Sequence, residues 1–91
     1  MSITVKVPTQ LRTLTDGAAE VTANGATIGD VVKDLDSNHP GLGERLLDDS
    51  GSLRRFVNLY LDDEDVRFLK GLETEVTEGA RLSIIPAVAG G

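Results

Sequence analysis

Thr27-Ile28-Gly29-Asp30-Val31-Val32-Lys33-Asp34-Leu35 is the stretch on which the fold turns. Ile28, Val31, Val32 and Leu35 stand at i, i+3, i+4 and i+7, so they share one face of a helix. Thr27 is a residue type that caps a helix start, because its hydroxyl can accept from an amide of the first turn. Asp30 follows three residues later, in a capping-box-like position near the positive end of the helix dipole. Ser37-Asn38-His39, followed by Pro40 and Gly41, should end the helix. Upstream the period changes from helical to alternating. Ile3, Val5 and Val7 point one way and Thr4 and Lys6 the other, as in a half-buried strand closed by Pro8. Thr15-Asp16-Gly17 is a turn signal, and Ala19, Val21 and Ala23 alternate again up to Asn24-Gly25. Two strands this close in sequence most simply form an antiparallel hairpin.

Downstream, Leu42, Leu46 and Leu47 suggest a short helical turn, and Asp48-Asp49-Ser50-Gly51-Ser52 is a polar loop. Phe56 to Leu61 carries the strongest strand signal, with Val57, Leu59 and Leu61 on one face and Phe56, Asn58 and Tyr60 on the other. Asp62 to Asp65 reads as a turn of like charge, Val66-Arg67-Phe68 as a short edge strand, and Glu78-Gly79 as another turn. Ala80 to Ile85 is the final strand, Leu82 and Ile84 facing one way, Ser83 and Ile85 the other, and Pro86 ends it. The expected class is α+β: a β-grasp fold, a mixed sheet of about five strands packed on one main helix. A right-handed crossover places the last strand beside the first and parallel to it. Residues 1–86 form the expected domain, and 87–91 a flexible C-terminal tail.

Ninety-one residues make one small domain with a modest core and little room for an internal active site. Hydrophobic residues make up 40% of the chain, which suits a globular rather than a disordered one. There is no cysteine, which excludes a disulfide, a thiolate nucleophile and a Cys-based zinc site. It also fits a reducing compartment. The net charge of -6 opposes phosphate backbones and anionic lipids and suits a partner with a basic docking surface. No apolar run approaches the roughly 20 residues a bilayer needs. Met1-Ser2-Ile3-Thr4 leads into a strand pattern without a basic n-region. The expected location is the cytoplasm, with neither nucleic acid nor membrane as a partner.

Pro86-Ala87-Val88-Ala89-Gly90-Gly91 is the stretch that carries chemistry. A Gly-Gly ending arises by chance in roughly one chain in 200 at a glycine frequency of about 7%, so the pair alone decides nothing. A frayed end is the ordinary reading of such a pair. Here it follows a strand, a proline and three slim residues, and five extended residues reach roughly 16 Å. That length enters another protein's active site. Glycine without Cβ threads a narrow channel and leaves the Gly91 carboxylate open to attack. No lysine, cysteine or histidine lies in Ala87, Val88, Ala89 or Gly90 to capture an activated terminus. A carboxylate reacts only once an oxygen becomes a leaving group. Adenylation by an ATP-dependent partner does this, and a persulfide or sulfide can then displace AMP on the way to a thiocarboxylate. Gly91 is therefore the expected site of adenylation and thiocarboxylate formation, while the chain itself supplies no catalytic residue, bound cofactor or metal. Ile85, facing the open side of the sheet, and Pro86 after it form a candidate partner-docking surface, with ordinary scattered surface hydrophobicity as the alternative reading of Ile85.

Other features weigh less. His39 is the only histidine and sits in a helix-ending turn, a poor metal site without further ligands. Asp62 to Asp65 lacks the ligand spacing and central glycine of a calcium loop. Gly41-Leu42-Gly43 opens no dinucleotide fingerprint.

Val5-Lys6-Val7-Pro8-Thr9 with Leu11-Arg12, Phe56-Val57-Asn58 with Tyr60, Asp63 through Phe68, Glu78-Gly79, and Ile84 through Gly91 together resemble the MoaD/ThiS family of ubiquitin-like sulfur carriers. The resemblance runs essentially end to end and is strongest to the CysO-type carriers of actinobacterial cysteine biosynthesis. Many molybdopterin-synthase small subunits carry a second proline where this chain has Ala87. The resemblance implies an E1-like adenylating enzyme, often with a rhodanese domain, that consumes ATP and installs sulfur on Gly91. It also implies a PLP-dependent cysteine synthase as acceptor and a JAMM-type metalloprotease that releases the cysteine. A small subunit of molybdopterin synthase, or a ubiquitin-like modifier or adaptor without sulfur transfer, remains open at this level.

Overall fold

Alternation at the start of the chain builds the first strand, β1 (Ser2–Lys6), whose Ile3 and Val5 are buried while Lys6 is exposed. The structure, a computed structural model, describes residues 1–55 and 57–86. β2 (Glu20–Asn24) runs antiparallel to β1, with Ile3 opposite Ala23 and Val5 opposite Val21. A 3-10 helix, Thr9–Thr15, fills the connection and drops Leu11 into the core. It closes at Asp16 and Gly17, both at positive φ, where the sequence places a turn. Buried Thr15 donates its hydroxyl to the Ala18 carbonyl at 2.9 Å, which ties the turn down.

α1 (Ile28–Asn38) follows. The Thr27 hydroxyl accepts from the Asp30 amide at 3.3 Å, satisfying one of the orphan donors of the first turn. Ile28, Val31, Val32 and Leu35 are all at most 1% exposed and share one core with Val5, Leu59, Leu82 and Ile84. Each such side chain is stabilised by about 1.5–3 kcal/mol on leaving water. The His39 amide donates to the Leu35 carbonyl at 2.7 Å and finishes the helix. α2 (Leu42–Leu46) has no cap of its own. Instead the Asp36 carboxylate of α1 accepts from the amides of Gly41 (3.2 Å) and Gly43 (2.9 Å), and Leu42 and Leu46 plug the core.

The remaining strands are β3 (Val57–Leu61), β4 (Glu64–Asp65) and β5 (Arg81–Pro86). The sheet order is β2-β1-β5-β3-β4. β5 lies parallel to β1, with Thr4 opposite Arg81 and Val5 opposite Leu82, and antiparallel to β3. This is the β-grasp topology expected from the hairpin and the crossover helix. Phe56, expected to open β3, lies outside the described residues.

Two expectations are corrected. Val66-Arg67-Phe68 is a 3-10 turn, and the edge strand is Glu64–Asp65. Asp62 and Asp63 have φ of 49° and 74°, the left-handed backbone that closes a tight hairpin. Pairing therefore resumes at once, Leu61 with Glu64 and Tyr60 with Asp65. The Asp65 carboxylate then accepts from the Arg67 amide at 2.9 Å and bends the chain, sending Val66 into the core. Pro86 does not stop short of the sheet but forms the last residue of β5, opposite Val57, a strand-end position where a missing amide donor is tolerated.

Candidate functional site

β5 holds a central place in the sheet and carries the chain to Pro86. Its period-2 pattern buries Leu82 and Ile84 under the helices and turns Ser83 and Ile85 to the open face, as the sequence predicts. Among the described strand residues that face is otherwise polar: Thr4 and Lys6 from β1, Thr22 from β2, Asn58 and Tyr60 from β3. Ile85 is 45% exposed there, so a large apolar side chain stands in water one residue before the strand ends. Pro86 is half-buried. The tail residues Ala87, Val88, Ala89, Gly90 and the expected reactive Gly91 lie outside the described residues.

Next to Ile85 stands a polar clamp. Asn58 faces Ile85 across the β3–β5 pairing. Its side-chain oxygen accepts from Nη1 of Arg67, and Nη2 of Arg67 donates to the Arg54 carbonyl at 2.6 Å. One guanidinium thus joins the turn after β4 to β3 and to the loop before it. Asp62 ties the other end of the hairpin to β5: its amide donates to the Arg81 carbonyl at 2.9 Å, and its carboxylate accepts from the Arg81 amide at 3.0 Å. The acidic turn is thereby a structural lock between β3 and β5. These anchors leave Phe68, in the turn that Arg67 clamps, 88% exposed. Sequence reading placed Phe68 in an edge strand and attached no role to it; the Asp65-x-Arg67 spacing, which suits a side-chain-capped turn, was the available signal.

Elsewhere the candidates take structural parts. His39 terminates α1, with its carbonyl accepting from the Leu42 amide at 3.0 Å. Gly41-Leu42-Gly43 opens α2, and Leu42 is buried. Among the described residues no group of three or more His, Cys, Asp or Glu is placed to hold a metal ion. No helix among them is long and apolar enough to cross a membrane. A groove of about 440 Å³ runs along the helical side, with Val32, Lys33, Asp36, Glu44 and Arg54 in its wall. In the loop below it the Asp48 carboxyl is held under the usual carboxylate range, first by the Ser50 hydroxyl (2.6 Å) and then by the Ser52 amide (3.1 Å).

Comparison with known proteins places this geometry. Residues 5–91 match the ThiS family model, a match that includes β5 and runs through Gly91. The chain is 52% identical over 93 aligned residues to the sulfur carrier protein CysO of Mycobacterium tuberculosis, with 100% of each chain covered. Its fold is similar to that in the crystal structure of the Amycolatopsis orientalis BexX/CysO complex, with a TM-score of 0.92 at 50% identity, covering 98% of this chain and 99% of that one. It is also 38% identical over 66 residues to small archaeal modifier protein 3 of Haloferax volcanii, covering 72% of this chain and 71% of that one. With a β-grasp sheet whose central strand leads in sequence to the Gly-Gly ending, and with a family match from residue 5 to Gly91, the chain belongs to the ThiS family and is a ubiquitin-like sulfur carrier protein rather than an enzyme.

Proposed function

We propose that the Gly91 carboxylate is the atom group that bears the sulfur. An adenylating partner joins it to the α-phosphate of ATP and releases pyrophosphate. Sulfide then attacks the acyl carbon, AMP departs with the former carboxylate oxygen, and a thiocarboxylate remains. At neutral pH that group is an anionic soft nucleophile and delivers sulfide equivalents to an acceptor enzyme. The observation that carries this reading is the family match running through Gly91 behind a strand fixed on both sides by β1 and β3. Ile85, exposed beside Pro86, supports a docking contact that fixes where the tail enters a partner.

The likeness to CysO supports cysteine as the product, formed by a PLP-dependent synthase as a carrier-linked cysteine and released by a JAMM-type metalloprotease. The Amycolatopsis complex, in which a CysO protein is assembled with BexX, supports docking onto a protein partner. The likeness to an archaeal modifier favours a second reading, in which Gly91 forms an isopeptide bond with a lysine of another protein. Intact-mass spectrometry after incubation with ATP, a sulfur source and the host's adenylating enzyme separates them. A gain matching one oxygen replaced by sulfur, lost on deletion of Gly91, supports the carrier. Lysine adducts without that gain support the modifier.

A further inference from the structure

β5 is not held evenly along its length. Its pairing with β1 covers Arg81, Leu82 and Ser83 and stops there. Ile84, Ile85 and Pro86 pair with β3 alone, opposite Leu59, Asn58 and Val57. β3 in turn is covered on its outer side only at Tyr60 and Leu61, where β4 pairs with it. The end of β5 from which the chain leaves the sheet thus leans on a stretch of β3 with no strand behind it among the described residues. Two strands alone make a weak pairing that opens from its end. Pro86 has no amide, so Ile85 is the last residue of β5 able to donate to β3.

Arg67 supplies what the missing strand would. Its Nη1 donates to the side-chain oxygen of Asn58, the residue opposite Ile85, and its Nη2 to the Arg54 carbonyl at 2.6 Å. That carbonyl also accepts from the Val57 amide at 3.1 Å. Arg54 is itself fixed to α2, through its amide on the Leu46 carbonyl at 2.9 Å and its Nε on the Glu44 carbonyl at 2.8 Å. The Asp65 carboxylate holds the Arg67 backbone. Both acceptors of the Arg67 guanidinium are neutral, so the contact uses its planar fork of two nitrogens rather than its charge.

We propose that Arg67 is a positioning residue for the Gly91 carboxylate. It braces the start of β3, so that the last pairs of β5 hold and the chain leaves the sheet at Pro86 and no earlier. Each residue that came off the sheet would add about 3.3 Å to the chain between the last fixed pair and Gly91. The carboxylate would then be spread over a larger volume, and less of it would meet an activating group in reacting geometry. The inference rests on the carrier reading for its effect on adenylation. The brace itself has a readout that needs no enzyme.

The test uses the full chain, amide hydrogen exchange by NMR, and pyrophosphate release with ATP and the host's adenylating enzyme. Arg67→Ala should speed exchange of the Ile85 amide by about tenfold or more while the β1–β2 amides keep their protection. It should lower kcat by about tenfold with KM within about twofold, since the reacting geometry is lost and the docked surface is kept. Asn58→Ala, which spares the bond to Arg54, should shift both readings the same way by less. Arg67→Lys keeps the charge without the fork and should not restore Ile85 protection. Ile85 exchange and kcat both within about twofold of wild type in Arg67→Ala overturn the brace and leave the carrier reading standing. Equal acceleration of the β1–β2 amides makes Arg67 a general stabiliser and overturns the proposal. So does recovery of kcat in Arg67→Lys without recovery of Ile85 protection, which assigns the charge to a partner contact. Wild-type protein that triggers no pyrophosphate release from an active enzyme overturns the carrier reading and with it the role in adenylation.

Discussion

Ile85 and Gly43 are both small decisions in the sequence with opposite consequences. Ile85 adds apolar surface where the core gains little from it. Ile85→Asp is expected to impair adenylation by the partner enzyme while costing the fold no more than about 1 kcal/mol, as read by pyrophosphate release and a urea melt on the same sample. Gly43 does the reverse. A Cβ there would lie 2.9 Å from the Asp36 side chain, the group that caps α2. Gly43→Ala should destabilise the protein by about 1–3 kcal/mol in urea unfolding, with adenylation of the folded fraction unchanged. Asp48 gives a pH handle. Its pKa is lower folded than unfolded, so the stabilisation its hydrogen bonds confer is present above the ordinary carboxylate value and lost as pH falls through the folded one. The Ser50 and Ser52 amide resonances should shift together in acid below about pH 4, and Asp48→Asn should abolish that titration.

At the scale of elements, α1 rests on a cap and a stripe. Thr27→Ala should cost about 1 kcal/mol and speed exchange of the first-turn amides, whereas Leu35→Ala should cost about 2–5 kcal/mol in global unfolding. Both features were legible in the sequence, because the apolar spacing and the cap both pointed to a helix over the same stretch. β5 was legible for the same kind of reason: alternation of Leu82 and Ile84 with Ser83 and Ile85 fixes which side of the sheet each meets. The turn at Val66-Arg67-Phe68 was not. Apolar letters on either side of an arginine satisfy a strand pattern, and nothing in that spacing reveals that a two-residue hairpin at Asp62-Asp63 lets Glu64 and Asp65 take the pairing positions first. Phe68 was thereby misplaced, since exposure depends on which residue turns inward, and Val66 took that role. The 3-10 helix over Thr9–Thr15 was missed because Leu11 and Leu14 are a single i, i+3 pair, too few apolar positions to set a helical period apart from a loop.

The whole molecule works through charge and topology. With nine Lys and Arg against fifteen Asp and Glu, association with a basic partner should be accelerated at long range and slow as salt rises from about 0.05 to 0.5 M, as stopped-flow mixing would read. The dissociation rate, set by short-range contacts, should change far less. The central position of β5 has a further consequence for biosynthesis. A chain halted anywhere before Arg81 has β1 and β3 without the strand that joins them, since β5 pairs with both. Such a fragment exposes two unsatisfied strand edges and half a core, the state that chaperones hold and proteases clear. The sheet closes only after the strand leading to the Gly-Gly segment has left the ribosome. Nascent and prematurely terminated chains thereby lack the closed sheet from which the Gly-Gly segment follows in sequence, and only a chain that has finished folding presents a complete carrier domain.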